Sequence, residues 1–268
     1  MQDNTFTTSD HCAISYQMRP SSRSGAPRLA LIHSLALDKS VWDGVANRMA
    51  GHVEVLTYDC RGHGHSGREA SNFTTELFAK DLAELLDHVG WASAAVAGCS
   101  MGGCVAQAFA AHYADRVNAL GLIDTTPWYG PDAPKNWKER AAAARSKGLA
   151  GMVDFQVTRW FSDKFRAEHP DVGRQMTEIF LANDVDCYAA TCVMLGEADL
   201  RPFLPALRVP VDVIVGDEDY ATPVAMSQGL HGAIRGSTLT IIPGGRHLTP
   251  VECPDQIAEQ LLALVKRI

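Results

Sequence analysis

Residues 94–105 read AAVAGCSMGGCV, an apolar run that stops at a single hydroxyl, Ser100, before a helical pattern begins. Gly98 and Gly102 flank this serine in a G-x-S-x-G arrangement, which is typical of a sharp turn from a strand into a helix. Such a turn projects the serine hydroxyl at the edge of a sheet. It also places the Met101 N–H at the positive end of the helix, where it is suited to stabilise an oxyanion. Ser100 is therefore the candidate nucleophile.

A glycine-rich turn with an incidental serine is the alternative interpretation of this motif. A phosphate-binding loop fits less well, because neither G-x-G-x-x-G nor G-x-x-x-x-G-K-[ST] can be read in the stretch. The position of the motif between an apolar run and a helical pattern favours the nucleophile.

Apolar runs of strand length alternate with helical patterns on both sides of this motif. The runs occupy 12–17, 28–33, 53–58, 94–99, 117–123, 211–215 and 239–242. The helical patterns occupy 41–50, 75–89, 102–113, 223–231 and 254–265. Strand alternating with helix predicts an α/β protein with a mostly parallel sheet that helices cover on both faces.

The alternation breaks between 125 and 199, where helical segments follow one another without a convincing strand. An all-helical insertion between two strands of a parallel sheet lies over the strand ends, where ligands bind in such folds. The sequence therefore predicts a core made of 1–124 and 200–268 and a helical cap made of 125–199.

The composition argues against several classes of protein. The 268 residues carry a net charge of −7 without a basic block, so the expected partner is a small molecule rather than nucleic acid or a membrane surface. No apolar run approaches the ~20 residues of a membrane span, and the polar start lacks the layout of a signal peptide, so we expect a cytoplasmic protein. The seven cysteines are scattered without CxxC pairs, which favours reduced thiols and no metal site.

A serine nucleophile needs a base and a carboxylate that orients the base, and both are expected after later strands. The last apolar run leads into PGGRHLTPVECP, which carries His247, the candidate base. The run before it leads into GDEDYATP. Asp219 in this loop is the candidate acid, because it is far enough past the strand to fold back towards His247.

Other residues near these positions are alternative acids or supporting groups of the site. Asp124 is the less favoured substitute for Asp219, whereas Asp217 and Glu218 are interpreted as a solvated loop or as helix N-terminal charges. The loop after the run at 28–33 is where the second oxyanion donor of such a site arises, and we assign that donor to the Leu35 N–H.

With Ser100, Asp219 and His247 in this order, the chain resembles the α/β-hydrolase fold family over nearly its whole length. Three further stretches agree with that family: HSLALD at 33–38, DCRGHGHS at 59–66 and GDEDYATP at 216–223. The resemblance implies a mostly parallel sheet of about eight strands, flanked by helices, with the helical cap inserted. It also implies that the second stretch is a structural turn whose histidines have no catalytic role.

Within this family, the chain resembles the 3-oxoadipate enol-lactonases of aromatic-compound catabolism, the β-ketoadipate pathway. The His33-Ser34-Leu35 start and cap stretches such as NWKERAAAARSKGLAGMVD carry this resemblance. Ala36 stands where these enzymes commonly have glycine. The resemblance implies a small ester or lactone substrate that bears a carboxylate, and a cationic group in the cap to bind it.

Arg140 is the leading candidate for that cation, because it follows Trp137 by three positions and lies on a neighbouring helix face. Arg145 and Arg159 follow, and a solvated position on the cap surface is the alternative for each arginine. The residues expected to line the substrate pocket beside Arg140 are Ser34, Trp137 and Trp160.

The expected reaction is hydrolysis of an ester or lactone through an acyl-enzyme, which requires no metal or organic cofactor. Alternatives with the same triad are a carboxylesterase, a C–C bond hydrolase of a ring-cleavage product and a perhydrolase or non-haem peroxidase. A ligand-sensing receptor on this scaffold is an alternative from a different class. The sequence leaves open whether the protein is a monomer or a homo-oligomer.

Overall fold

The computed structural model describes residues 3–68 and 72–268, and the strands within them form one eight-stranded sheet. The strands are β1 (Asn4–Thr7), β2 (Ala13–Arg19), β3 (Arg28–Ile32), β4 (Glu54–Tyr58), β5 (Ala94–Cys99), β6 (Val117–Ile123), β7 (Val211–Gly216) and β8 (Thr238–Ile242). They lie in the order β1-β2-β4-β3-β5-β6-β7-β8. Only the pairs that involve β1 or β2 are antiparallel within the described residues. The predicted fold class, a mostly parallel sheet of about eight strands, is confirmed.

The sequence pattern missed one strand, β1. Its residues, NTFT, are mostly polar, and three of the four are exposed because β1 lies at the edge of the sheet. A short edge strand buries little apolar surface, so it lacks the hydrophobic pattern from which strands are predicted.

The helices surround this sheet and largely follow the predicted patterns. They are α1 (Asp43–Arg48), α2 (Thr75–His88), α3 (Met101–His112), α4 (Ala133–Lys147), α5 (Val153–Trp160), α6 (Asp163–Glu168), α7 (Pro170–Leu181), α8 (Val185–Glu197), α9 (Val224–Ala233), α10 (Thr249–Glu252) and α11 (Pro254–Val265). The pattern at 41–50 differs, because it spans the end of a 3₁₀ turn, Lys39–Trp42, and then α1. The Asp38 carboxylate accepts the Ser40 N–H at 2.9 Å and so stabilises this tighter turn.

The central strand β5 and the helix α3 approach each other so closely that only glycine fits between them. A Cβ on Gly98 would overlap the carbonyl of Gly102, and a Cβ on Gly102 would overlap the carbonyl of Ile32 at the end of β3. Every residue of β5 is buried. The glycines therefore allow α3 to begin directly against the ends of two buried strands.

Helices α4 to α8 lie between β6 and β7 in the chain. Pro134 in the first turn and Gly148 at the C-cap bound α4. Trp128 and Asp199 form an isolated antiparallel bridge, and the Leu200 N–H donates to the Pro127 carbonyl at 2.9 Å. The segment therefore leaves and rejoins the sheet at one place. The division into a core of 1–124 and 200–268 and a cap of 125–199 stays a prediction.

Two further features bear on the expectations from composition. No single helix in the described part of the chain is long and apolar enough to span a membrane; α7 and α8 reach that length and composition only together, across a bend of 96°. Six of the cysteines, namely Cys60, Cys99, Cys104, Cys187, Cys192 and Cys253, are free thiols.

Candidate active site

Ser100 lies on the turn between β5 and α3 in a strained backbone conformation. Its φ is +55° and its ψ is −115°, a region in which a non-glycine residue costs about 1–3 kcal/mol and persists only when its surroundings fix it. Two contacts with the end of β6 do so. The Ser100 N–H donates to the Ile123 carbonyl at 2.9 Å, and the Thr125 hydroxyl donates to the Ser100 carbonyl at 2.7 Å.

His247 lies in the loop after β8, and its imidazole reaches Ser100. The His247 Nε2 atom is 2.9 Å from the Ser100 Oγ atom. Its Nδ1 atom is 2.8 Å from Asp219 Oδ2. One side chain therefore bridges a hydroxyl and a carboxylate that come from two other loops of the sheet.

Asp219 is an ionised acceptor at the far side of this imidazole. Its Oδ1 atom accepts the N–H groups of Ala221 at 2.7 Å and Thr222 at 2.9 Å, and its Oδ2 atom accepts the Thr222 hydroxyl at 2.8 Å. Burial raises the pKa of Asp219, but the nearby His247 and the bonds from Thr222 outweigh burial and hold this pKa below its ordinary value of 3.8. Because the carboxylate only accepts, His247 carries its proton on Nδ1 and presents a free Nε2 to Ser100.

The other acids near the site have different partners. Asp124 accepts hydrogen bonds from Gly216 and Thr249. Asp217 accepts the Gly244 N–H at 2.7 Å, and Glu218 pairs with Arg246 at 3.0 Å. The structure thus brings together the three residues that the sequence placed in the triad, and among the described residues Asp219 is the carboxylate that pairs with the imidazole.

The two predicted oxyanion donors belong to segments that touch. Met101 is the first residue of α3, so its N–H has no acceptor within the helix. Neither this N–H nor that of Leu35 donates to another described residue. The backbone of Gly102 lies against the His33 carbonyl, so the start of α3 abuts the loop that carries Leu35. Ala36 in this loop has a φ of +59°, a backbone conformation that favours glycine. The oxyanion role of both N–H groups stays a prediction.

A cavity of about 450 Å³ opens above the Ser100 hydroxyl. Residues 1–124 and 200–268 contribute Ser34, Leu35, Ser100 and His247 to its wall, and residues 125–199 contribute Trp137, Arg140, Arg159 and Trp160. All four residues predicted to contact substrate, namely Ser34, Trp137, Arg140 and Trp160, therefore line the same cavity as Ser100.

Arg140 presents to this cavity a positive charge that pairs with no carboxylate in the described part of the chain. Its Nε atom donates to the Tyr188 hydroxyl at 2.7 Å, and its Nη2 atom donates to Gln156 Oε1 at 2.8 Å. Its guanidinium carbon lies 4.7 Å from the ring centre of Trp137. No described carboxylate lies within 4.0 Å of its nitrogens. A charge held by neutral groups in a half-buried cavity favours an anionic ligand.

The two other candidate arginines differ in their positions. Arg159 lines the cavity, with its guanidinium carbon 4.8 Å from the ring centre of Phe155 and 5.2 Å from that of Tyr220. Burial and the positive charge of Arg140 lower the pKa of Arg159. Arg145 points to the surface and pairs with Asp186 at 2.9 Å.

Sequence reasoning missed three residues that shape the cavity region. Tyr129 lines the cavity, and its ring centre lies 5.1 Å from that of Trp137. Burial raises the pKa of Tyr129 well above its ordinary value, so it stays a neutral hydroxyl. Gln156 and Tyr188 hold Arg140. Each of the three acts through the packing of the segment 125–199, which leaves no local sequence signal.

The described residues contain no cluster of three His, Cys, Asp or Glu side chains with the geometry to hold a metal ion. Arg140 and the aromatic wall of the cavity are instead suited to an organic anion.

Comparisons with known proteins agree with this architecture. The model of the alpha/beta hydrolase family matches residues 29–260. The 3-oxoadipate enol-lactonase 2 of Acinetobacter baylyi is 32% identical over 241 residues, which are 90% of this chain and 89% of that protein. The crystal structure of the enol-lactonase from Burkholderia xenovorans superimposes with a TM-score of 0.93 at 30% identity and covers 98% of this chain and 100% of that one. A malate-bound esterase from Thermogutta terrifontis superimposes with a TM-score of 0.92 at 27% identity, over 99% and 98% of the two chains.

Proposed function

The chain belongs to the alpha/beta hydrolase family, and from this premise we propose that it is a serine hydrolase that cleaves a carboxylic ester or lactone through an acyl-enzyme. The proposed substrate is 3-oxoadipate enol-lactone, an intermediate of aromatic-compound catabolism. One observation carries the proposal: Ser100, His247 and Asp219 form a continuous hydrogen-bonded chain, with distances of 2.9 and 2.8 Å, at the floor of a cavity.

Acylation follows from this chain of contacts. The Ser100 oxygen attacks the carbonyl carbon of the substrate while its proton passes to His247 Nε2, and Asp219 stabilises the imidazolium that forms. The N–H groups of Leu35 and Met101 hold the oxyanion. The carbon–oxygen bond of the ester then breaks, and His247 returns the proton to the leaving oxygen.

Deacylation uses the same groups with water in place of the serine. His247 takes a proton from water, the hydroxide attacks the acyl carbon, and Ser100 leaves with that proton. In a lactone the leaving oxygen remains part of the acyl chain. When that oxygen is an enol, its conversion to the ketone makes ring opening strongly favourable.

The charge of Arg140 supports an acidic substrate. Its guanidinium faces the cavity, and its hydrogen-bond partners within residues 3–68 and 72–268 are all neutral, so a substrate carboxylate would give it a charged one. The similar enol-lactonases suggest the substrate, and the malate-bound esterase holds a dicarboxylate. In this proposal, Ser34, Trp137 and Trp160 form the wall against which the rest of the substrate lies.

A carboxylesterase that acts on acidic esters is the second candidate, because the esterase from Thermogutta terrifontis matches the fold nearly as well as the enol-lactonase does. Its substrate would contact the same arginine and the same triad. The two candidates differ in whether the preferred substrate is a cyclic ester or an open-chain ester.

The test is a substrate panel measured on one preparation. It comprises 3-oxoadipate enol-lactone, a neutral lactone of equal ring size, and methyl esters of adipate and of hexanoate. The proposal expects kcat/KM for the enol-lactone to exceed that for the adipate ester by about 10²-fold or more. Preference for the adipate ester would support the second candidate. Hydrolysis of none of these would contradict both, and peracid formation with acetate and peroxide would indicate the perhydrolase.

A further inference from the structure

A fully buried carboxylate, Asp124, lies beneath the triad and takes no part in the proposed chemistry. It directly follows β6 and is 0% exposed. Its φ of +48° is unusual for a residue other than glycine. Burying a carboxylate in this backbone conformation is costly, so its contacts must compensate.

Those contacts reach the two loops that carry the base and the acid. Asp124 Oδ1 accepts the Gly216 N–H at 3.1 Å, and Gly216 ends β7 three residues before Asp219. Asp124 Oδ2 accepts the Thr249 N–H at 3.0 Å and the Thr249 hydroxyl at 2.6 Å. Thr249 begins α10, two residues after His247. The Asp124 side chain thus bonds both to the segment that carries Asp219 and to the segment that carries His247.

The residues on both sides of Asp124 hold the nucleophile. Ile123 accepts the Ser100 N–H, and Thr125 donates to the Ser100 carbonyl. The tripeptide 123–125 therefore contacts the segments of all three triad residues. Replacing the central side chain removes the bonds to Gly216 and Thr249, whereas the bonds to Ser100 come from Ile123 and Thr125.

The loops are also packed against each other at this point. A Cβ on Gly216 would overlap the Gly245 carbonyl, and the Glu218 N–H donates to the same carbonyl at 2.9 Å. Because the two loops are in backbone contact, a bond that fixes one restrains the other. Burial and the nearby Asp219 raise the pKa of Asp124 well above its ordinary value of 3.8, although the bonds from Thr249 and Gly216 oppose that rise.

We infer that Asp124 is a positioning residue, which holds the loops of Asp219 and His247 at the separation at which the imidazole bridges the acid and the nucleophile. The inference rests on the proposed function only in assuming that the triad is used. The contact itself exists whether or not the substrate assignment is correct.

The experiment compares Asp124→Ala and Asp124→Asn with a matched control, Asp212→Asn. Asp212 is another buried carboxylate, near the opposite end of β7, where it accepts the Thr238 hydroxyl and pairs with Arg267. Two quantities are measured at a temperature where each variant is folded. They are kcat and KM for a p-nitrophenyl ester, and the low-field proton NMR signal of the His247 Nδ1–H that bonds to Asp219.

For Asp124→Ala we expect kcat to fall about tenfold or more with KM within about twofold, since binding is untouched and the alignment of the base is lost. The low-field signal should shift or disappear. Asp124→Asn should lie between this variant and the wild type, because its amide oxygen can still accept from Thr249. Asp212→Asn should lower stability alone.

The inference is overturned by a folded Asp124→Ala variant that keeps its low-field signal and a kcat within about twofold of the Asp212→Asn value. If Asp124→Ala does not fold, Asp124→Asn and Thr249→Val are measured in its place. The inference is then overturned if both variants keep the low-field signal and the kcat of the wild type. A wild-type protein that hydrolyses no ester or lactone would contradict the proposed function, and the NMR comparison would still test Asp124.

Discussion

The backbone carbonyl of Trp160, at the end of α5, accepts a hydrogen bond from the N–H of His247 at 3.2 Å and one from the N–H of Leu248 at 3.0 Å. Arg246 strengthens this connection, since its guanidinium donates to the carbonyls of Thr158 and Phe161 at 3.0 Å each. The segment that forms the cavity wall thus holds the backbone of the candidate base. Any opening of the cavity that keeps the triad intact must occur away from this end of α5.

Replacing Ser100 with alanine should abolish hydrolysis, with a loss of at least about 10³-fold in kcat, because Ser100 forms the acyl-enzyme in the proposed mechanism. The thermal unfolding temperature should stay close to that of the wild type. Steady-state assays and circular dichroism check the two expectations.

Ser227→Ala is the control for this variant. Ser227 is a buried serine of α9 whose hydroxyl has no partner among the described residues, so its loss should leave kcat unchanged. If Ser100→Ala retained wild-type activity, the nucleophile would have to be another residue.

Replacing Arg140 with methionine should weaken the use of acidic substrates. Loss of a charge-assisted contact corresponds to a decrease of about 10- to 100-fold in kcat/KM for a lactone or ester that carries a carboxylate. A neutral ester should lose about threefold or less. The ratio of the two values in each variant is the quantity to measure.

Arg145→Met provides the matched control, because Arg145 lies on the same helix and pairs with Asp186 at the surface. In this variant, the ratio of kcat/KM for the acidic substrate to kcat/KM for the neutral ester should equal that of the wild type. Equal losses on acidic and neutral substrates in Arg140→Met would show that Arg140 supports the cavity rather than a substrate carboxylate.

The stability of the protein should respond to pH through Asp10. Hydrogen bonds from Arg61 and Thr8 hold the pKa of Asp10 well below its ordinary value of 3.8. The unfolded chain therefore takes up this proton first as the pH falls, so the stabilisation is present at neutral pH and is lost below a pH of about 4. Asp10→Asn should be less stable than the wild type at pH 7, and the difference should shrink on acidification.

Urea unfolding between neutral pH and about pH 3 measures this difference. Glu259→Gln on the exposed face of α11 serves as the control, since Glu259 makes no ion pair with any described residue. A gap between Asp10→Asn and the wild type that stays constant with pH would contradict the assignment.

Gly98→Ala should destabilise the fold by at least about 2 kcal/mol, because the new Cβ would overlap the Gly102 carbonyl and force β5 and α3 apart. Gly173→Ala is the opposite case. Gly173 lies in α7 with nothing within 4 Å of a Cβ, so alanine there should stabilise the protein by about 0.5–1 kcal/mol. Chemical denaturation of both variants tests the contrast, and a stable Gly98→Ala protein would refute the packing argument.

The contacts among the three members of the candidate triad could be predicted from the sequence because each member follows the carboxyl end of a parallel strand, where the fold itself brings the loops together. Ser100, Asp219 and His247 needed no knowledge of helix packing. The partners of Arg140 could be found only from the packing of the helices. Gln156 and Tyr188 come from two different helices and meet only when α4, α5 and α8 pack. Strand β1 was not predicted for a related reason: it is defined by its pairing with β2 and has no apolar pattern of its own.

The placement of the triad along the chain also affects its biosynthesis. Ser100 is made 147 residues before His247, so a nascent chain carries the hydroxyl long before it carries the imidazole. A serine without its base is a poor nucleophile. In the proposed mechanism, reactivity therefore arises only after β8 and the loop that follows it have left the ribosome and docked, and a product of interrupted translation that ends before them would be chemically inert.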